Sequence, residues 1–337
     1  MQALLNLAAD RTQLYLSPDG QAHATLPSGA ATPLYSEDFF TFLHQLSAHQ
    51  QSPLPNNFQF AKLLRDLDAQ AHASNRIQPV PLRTSRTAHD TLLIDLQENF
   101  EAIELTRKGW SLTHNFDAPF LRPFLNIPLP APEPPKHDLT TYLTHLFEIE
   151  KEPAEQLALW LAQALMADSQ PPILVITGEA RDEAAAKLRT ILDPVPQPLF
   201  PVPTTINQLG QLALTNRILP FAAYGPLTEK RKSAFNALRK GMIVQLKETN
   251  KRRGKIFTKI SRPIIITIEA PQQISPTQIT IEINKANQGD HPRILGALLN
   301  LAAAGMHKSP QPTIQVEHQA IAPQSPTQAP QPDVPGP

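Results

Sequence analysis

Proline divides this chain. Pro128, Pro130, Pro132, Pro134 and Pro135 fall within the eight residues 128–135 of IPLPAPEPPKHD. So many missing amides cannot sustain a helix or an interior strand, and the spacing predicts a stiff extended linker over 127–137. A second concentration lies at the C-terminus, where from Lys308 onward Pro, Gln, Ser, Thr and Ala leave almost no large apolar side chain. Such a segment cannot bury enough surface to offset its ordering entropy, so 307–337 is expected to be a disordered Pro/Gln-rich tail. The 337 residues suit about two domains. These are an N-terminal α+β domain over 1–126 and an α/β domain over 138–306.

Several function classes fall away at once. Cysteine is absent, which removes disulfides, thiolate metal sites and thiol nucleophiles. Thirty basic residues balance thirty acidic ones, so the whole-chain charge does not resemble that of a nucleic-acid coat protein. The N-terminal MQALLNLAADR carries no basic leader before its apolar run, and it is not read as a signal peptide. Apolar runs stay well short of the ~18–20 residues that span a bilayer. A cytoplasmic protein without a membrane partner is expected.

Elements follow from periodicity and turn chemistry. YLSPDGQAHATL reads as a hairpin about Asp19-Gly20, and Ser36 as the cap of a helix carrying Phe39, Phe40, Leu43 and Leu46. A second helix is expected over 57–72, then strands at 77–83, TLLIDL, FEAIELT and GWSLTHNF. Asp95 in TLLIDL has no partner in reach by sequence and is read as structural. After the linker come helices capped by Asp138 and started by Pro153, then PPILVIT over 171–177, an unbroken apolar run suited to a strand buried on both faces. A helix over 179–192, strands in RILPFAA, GMIVQL, RPIIITIE and TQITIEI, and helices at 228–240 and 292–305 complete an alternating α/β pattern.

A buried strand that ends in ITGE and leads straight into a helix is the position of a phosphate-binding loop. That chemistry needs glycines, a Lys for the β- and γ-phosphates and a hydroxyl for Mg²⁺. The segment here is GEARDEAAAK over 178–187. It has one glycine and no Gly-Lys-Ser/Thr, and Lys187 lies more than two turns into the expected helix. Asp182 and Glu183 favour the helix dipole but repel phosphate.

Taken together, DLQENFEAIELTRKGW, the LP-rich linker, PPILVITGE, the LDP after the next helix, RPIIITIE and ILGALLNLAAA resemble a known family. It is the ATP-binding, helicase-like proteins of prophages and integrative elements, related to superfamily 3 helicases of the AAA+ class. The resemblance covers roughly 1–305 and implies a P-loop NTPase (AAA+-like) domain behind an N-terminal accessory domain. It also implies a role with mobile DNA. Set against the family pattern, the loop at Gly178 and Glu179 is shortened and Lys187 does not replace its lysine. Ala222 and Ala223 stand where Walker B acids would be, Thr267 stands at the sensor Asn position, and Gln278 stands where an arginine would reach a neighbour's nucleotide. Four losses from one reaction imply a pseudo-ATPase, since phosphoryl transfer depends on positioning and charge stabilisation. No cofactor and no catalytic or metal-ligating residue is expected.

Other catalytic templates are missing too: there is no Gly-x-Ser-x-Gly, His-Glu-x-x-His or Gly-x-Gly-x-x-Gly. One feature stands out. Between 230 and 262 lie Lys230, Arg231, Lys232, Arg239, Lys240, Lys247, Lys251, Arg252, Arg253, Lys255, Lys259 and Arg262, opposed only by Glu248. KETNKRRGKIFTK reads as a hairpin with its tip at Arg253-Gly254 and Phe257 placed to stack. Cations with an aromatic suit a nucleic-acid strand. The expected partners are DNA or RNA, with assembly into a homo-oligomer or with an active helicase-like relative. Two alternatives stand beside this reading. One is a protein-interaction scaffold that does not bind nucleic acid. The other is an ATPase that grips nucleotide unconventionally.

Overall fold

The computed structural model describes residues 2–49, 56–87, 89–97, 101–114, 116, 118–123, 127–167, 169–245 and 257–306. It begins with α1 (Gln2–Arg11), then β1 (Gln13–Leu16), β2 (Ala22–Thr25) and β3 (Ala30–Pro33). β1 and β2 pair antiparallel around the expected turn, closed by the Ser17 amide on the Gln21 carbonyl at 2.9 Å. Next come α2 (Glu37–His49) and α3 (Asn57–Ala73). Ser36 Oγ accepts from the Phe39 amide at 3.2 Å, as its capping role predicts. Asn56 and Gln59 form a reciprocal capping box at the start of α3. Phe39, Leu43, Phe60, Leu63, Leu64 and Leu67 close a core over this sheet, as their spacing predicts.

His23 on β2 is buried in this unit, stacked on Tyr15 at 5.9 Å, with Nδ1 3.0 Å from the Gln21 carbonyl. Burial pushes its pKa below the ordinary 6.5, against the Gln21 bond and Asp19, which raise it. The unfolded chain therefore takes up this proton first as pH falls. Stability is expected to drop as pH falls below about 6.5 and to level off below the depressed folded pKa. Urea midpoints measured from pH 7.5 to 5 for the wild type and His23→Gln check this. The variant is expected to lose that part of the slope.

A second sheet follows: β4 (Thr84–Arg86), β5 (Leu92–Asp95), β6 (Ala102–Thr106) and β7 (Gly109–Thr113), an antiparallel meander in chain order. The expected strand over 77–83 is corrected. Only Ile77 bridges to Leu16, and pairing resumes at Thr84, because Pro79 and Pro81 offer no amide to a ladder. β8 (Phe120–Leu121) returns to the first sheet beside β3. Asp95 is fully buried and holds Arg122 through both oxygens at 2.7 and 2.9 Å, a structural pair.

The segment 127–137, expected as an extended linker, packs along the parts on either side of it. Leu129 is buried, its amide bonds to the Leu96 carbonyl at 3.2 Å, and the Glu133 amide bonds to the Pro292 carbonyl at 3.0 Å. Leu92, Ile94, Ile103 and Leu105 share one core with Leu143, Trp160, Leu174 and Leu298. Prolines keep the segment extended, and the amides of Ile127, Leu129 and Glu133 between them tie it down as a strap.

The remainder is a three-layer α/β unit built from α4 (Leu139–Phe147), α5 (Lys151–Leu165), β9 (Ile173–Thr177), α6 (Arg181–Leu192), β10 (Phe200–Pro201), α7 (Ile206–Thr215), β11 (Leu219–Ala223), α8 (Glu229–Lys240), β12 (Met242–Gln245), β13 (Phe257–Ile260), β14 (Ile264–Ile268), β15 (Gln278–Glu282) and α9 (His291–Met306). The central sheet runs β10-β11-β14-β9-β15, and every neighbouring pair is parallel. β9 is buried along its length, as its apolar run predicts. Leu174 and Ile176 face the core of α5, α6 and α9, while Ile173 and Val175 face a second core with Leu209, Phe235, Met242 and Val244. No helix among the described residues is long and apolar enough to cross a membrane.

At the sheet's N-terminal edge the C-terminal ends of several helices converge, and arginines meet their carbonyls. Arg217 Nη2 donates to the Ala164 and Met166 carbonyls at 2.9 and 2.8 Å, and Arg262 Nε to those of Ala213 and Asn216 at 2.9 and 3.0 Å. Asp193, 1% exposed, sits at the centre of this layer. It takes Arg83 at 3.3 Å and the amides of Arg217 and Ile218 at 2.9 and 3.4 Å. Burial, with Arg217 adding to it for Arg262, lowers the Arg189 and Arg262 pKa values to about 10 and about 9, and Asp193 opposes both shifts. Both guanidiniums remain cationic at neutral pH.

Candidate nucleotide cleft and basic hairpin

In an open parallel sheet, ligands gather outside the carboxyl ends of strands where connections leave in opposite directions. Here β9 connects toward β10 at one edge, while β14 connects past β9 to β15 at the other. An open cleft of about 650 Å³ lies at that position, lined by Gly178, Glu179, Arg181, Glu269, Glu282 and Asn284. Gly178, Glu179, Ala222, Ala223 and Thr267 all come to this end of the sheet, with Ala222 beside Thr267 in register.

Two of the turn's amides are engaged within the chain. The Glu179 amide donates to Asn284 Oδ1 and the Ala180 amide to the Ile283 carbonyl, both at 3.1 Å. Gly178 holds a left-handed φ of +96°, and a Cβ there would meet the Ile283 carbonyl at 2.4 Å. The chain leaving β15 therefore lies against this turn and takes two of its amides. Thr267 donates to Asp182 in the first turn of α6. Arg181 turns back to the Gly178 carbonyl at 3.1 Å and toward Glu269 at 3.6 Å. Three carboxylates against one engaged guanidinium repel a polyphosphate. A nucleotide with Mg²⁺, which the resemblance implies, does not fit these residues.

Two positions do not join the cleft. Lys187 is held against Glu183 at 3.1 Å, roughly 9 Å along α6 from its first residue. Gln278 pairs with Ile173 at the opposite end of the sheet, roughly 15 Å from Gly178. Its Oε1 accepts the Ile274 and Ser275 amides at 2.7 and 3.1 Å, so it organises its own turn. Asn284 and Ile283 carried no sequence signal, because their role comes from a contact with a turn a hundred residues away.

The basic run forms part of a separate unit. β12 and β13 pair antiparallel, Met242 opposite Ile260 and Gln245 opposite Phe257, as a ribbon outside the main sheet. Met242, Val244 and Ile260 face the second core. The alternation turns Ile243 (71% exposed), Gln245, Phe257 (52% exposed) and Lys259 outward. Lys230 and Lys240 on α8 are exposed; Lys232 pairs with Glu229 at 2.9 Å, and Arg239 reaches the Gln170 carbonyl at 3.4 Å. Lys247, Lys251, Arg252, Arg253, Lys255 and the expected tip lie outside the described residues, as does 307–337. Arg262 is removed from the basic surface, since its guanidinium serves the carbonyls of α7 and its exit.

No protein-family model matches the chain, and no curated protein matches it. Solved structures do. A structure titled the A form apo structure of the NrS-1 C-terminal region is similar over 90% of this chain and 67% of its own, at 10% identity and a TM-score of 0.45. A second structure of that region, 305–718, gives 89% and 67% coverage, 11% identity and a TM-score of 0.42. A structure titled SCCmec type IV Cch, an active helicase, gives 87% and 57% coverage, 14% identity and a TM-score of 0.38.

Proposed function

We propose that this chain is a helicase-like α/β protein of mobile elements that neither binds nor hydrolyses ATP, and that it acts as an accessory nucleic-acid-binding subunit. One observation carries the reading. The amides of Glu179 and Ala180, two donors at the turn where a phosphate would sit, are already bonded to Asn284 and Ile283. The acidic lining of the same cleft supports it. The outward face of β12–β13, with Phe257 beside Lys259, together with the exposed lysines of α8, supplies cations and an aromatic for a strand. The domain division at 126/138 is retained only as a functional one, an N-terminal accessory part and a C-terminal binding part on a shared core.

Two measurements test the reading. A ligand present at a hundred times its Kd stabilises a protein by ~2.7 kcal/mol. Millimolar ATP with Mg²⁺ is expected to leave the thermal midpoint unchanged, and a rise of several degrees would sink the closed-turn reading. Anisotropy with labelled oligonucleotides is expected to show salt-dependent binding, lost when Lys251, Arg252, Arg253 and Lys255 are all changed to Glu. Affinity untouched by those four changes would instead favour the scaffold reading.

A further inference from the structure

A groove of about 290 Å³ lies between α7 and α8, apart from the cleft at Gly178. Leu209 and Phe235 form its floor, Ile206 stands half exposed on its rim, and Lys230 and Arg231 flank it. Glu229 beside them is held by Lys232 at 2.9 Å. The side chains of Lys230 and Arg231 make no hydrogen bond or ion pair with any described residue. Two cations with no partner among the described residues, over an apolar floor, suit a group with one anionic and one flat apolar part. The volume is of the order of one nucleotide, far too small for a folded partner.

The groove neighbours the β12–β13 ribbon. Leu209 and Phe235 belong to the same core as Met242, Val244 and Ile260, so one core supports both. α7 lies close against β12, where a Cβ on Gly210 would meet Val244 at 2.9 Å. We infer that this groove seats one nucleotide of a single strand, its phosphate between Lys230 and Arg231 and its base against Ile206 and Leu209. The strand then continues onto the outward face of β12–β13. The inference rests on the nucleic-acid reading above and extends it to a defined subsite. Duplex bases are stacked and cannot enter, so the groove selects single strands.

The test compares the wild type, Lys230→Glu/Arg231→Glu, and the fourfold Glu variant of Lys251, Arg252, Arg253 and Lys255. Each is titrated with a labelled oligothymidylate and with a duplex of the same length, from 50 to 300 mM salt. Both changed residues are surface cations, and unchanged thermal midpoints establish that the variant folds. Loss of two phosphate contacts is expected to weaken single-strand binding roughly tenfold and to flatten the salt slope by about 1.4, leaving the weaker duplex binding nearly unaltered. Photocrosslinking of an iodouridine oligonucleotide is expected to label 203–235 in the wild type and not in the double variant. If only the fourfold variant loses affinity, the groove inference fails while the hairpin reading stands. If the wild type binds no oligonucleotide, both fail. Displacement of the oligonucleotide by a short polyglutamate peptide at equal concentration would also overturn it, in favour of an acidic peptide.

Discussion

Replacing Asp193 by Ala is expected to cost about 3–5 kcal/mol of stability, the range seen when one partner of a buried ion pair is removed. Asp193 takes Arg83 and the Arg217 and Ile218 amides, and it offsets a buried excess of positive charge. Arg83 is fully buried and also bonds the Asp95 and Ile127 carbonyls, both at 3.1 Å. Without the carboxylate these guanidiniums repel one another in low dielectric, and carbonyls alone compensate them only partly. Asp193→Asn keeps the acceptor oxygen but not the charge, so it should fall between the wild type and Ala. Equilibrium urea unfolding reads all three. A loss below 1 kcal/mol for Ala would mean that the carboxylate is not the hub its contacts describe.

Gly296→Ala should also destabilise, against the ordinary expectation for a helix. At a free helical position, Gly to Ala gains roughly 0.5–1 kcal/mol. Gly296 lies inside α9, where the strap passes so close that a Cβ would stand 2.0 Å from the Glu133 carbonyl oxygen. That obstacle is backbone, so no rotamer change relieves it. Overpacking of this kind costs about 1–3 kcal/mol. The reversed sign is the informative part of the experiment. Gly296→Leu should go further and expose 127–137 to limited proteolysis, with cleavage mapped by mass spectrometry. A stabilised Gly296→Ala would mean that the strap does not lie on α9.

Much of the fold could be read locally. PPILVIT announces a strand buried on both faces because every residue from Ile173 to Thr177 is buried. Ser36 and Asp138 announce helix starts because a cap is a contact three residues long. No expectation from periodicity covers α7, although Thr205 and Gln208 form a capping box, the Thr-x-x-Gln pattern that marks such a start. Over 77–83 the β-branched and apolar residues were outweighed by two prolines.

Residue types alone settle that the turn at 178–187 lacks the glycines, lysine and hydroxyl of a phosphate loop, and that cations crowd between 230 and 262, because both are matters of local chemistry. Tertiary structure decided the rest: that Ile283 and Asn284 seal the turn, that Arg262 faces inward while Lys230 and Arg231 flank a groove, and that a proline run binds a helix. Each of these depends on how closely distant parts of the chain approach one another. No periodicity or spacing encodes that distance, because it is set by how whole layers pack.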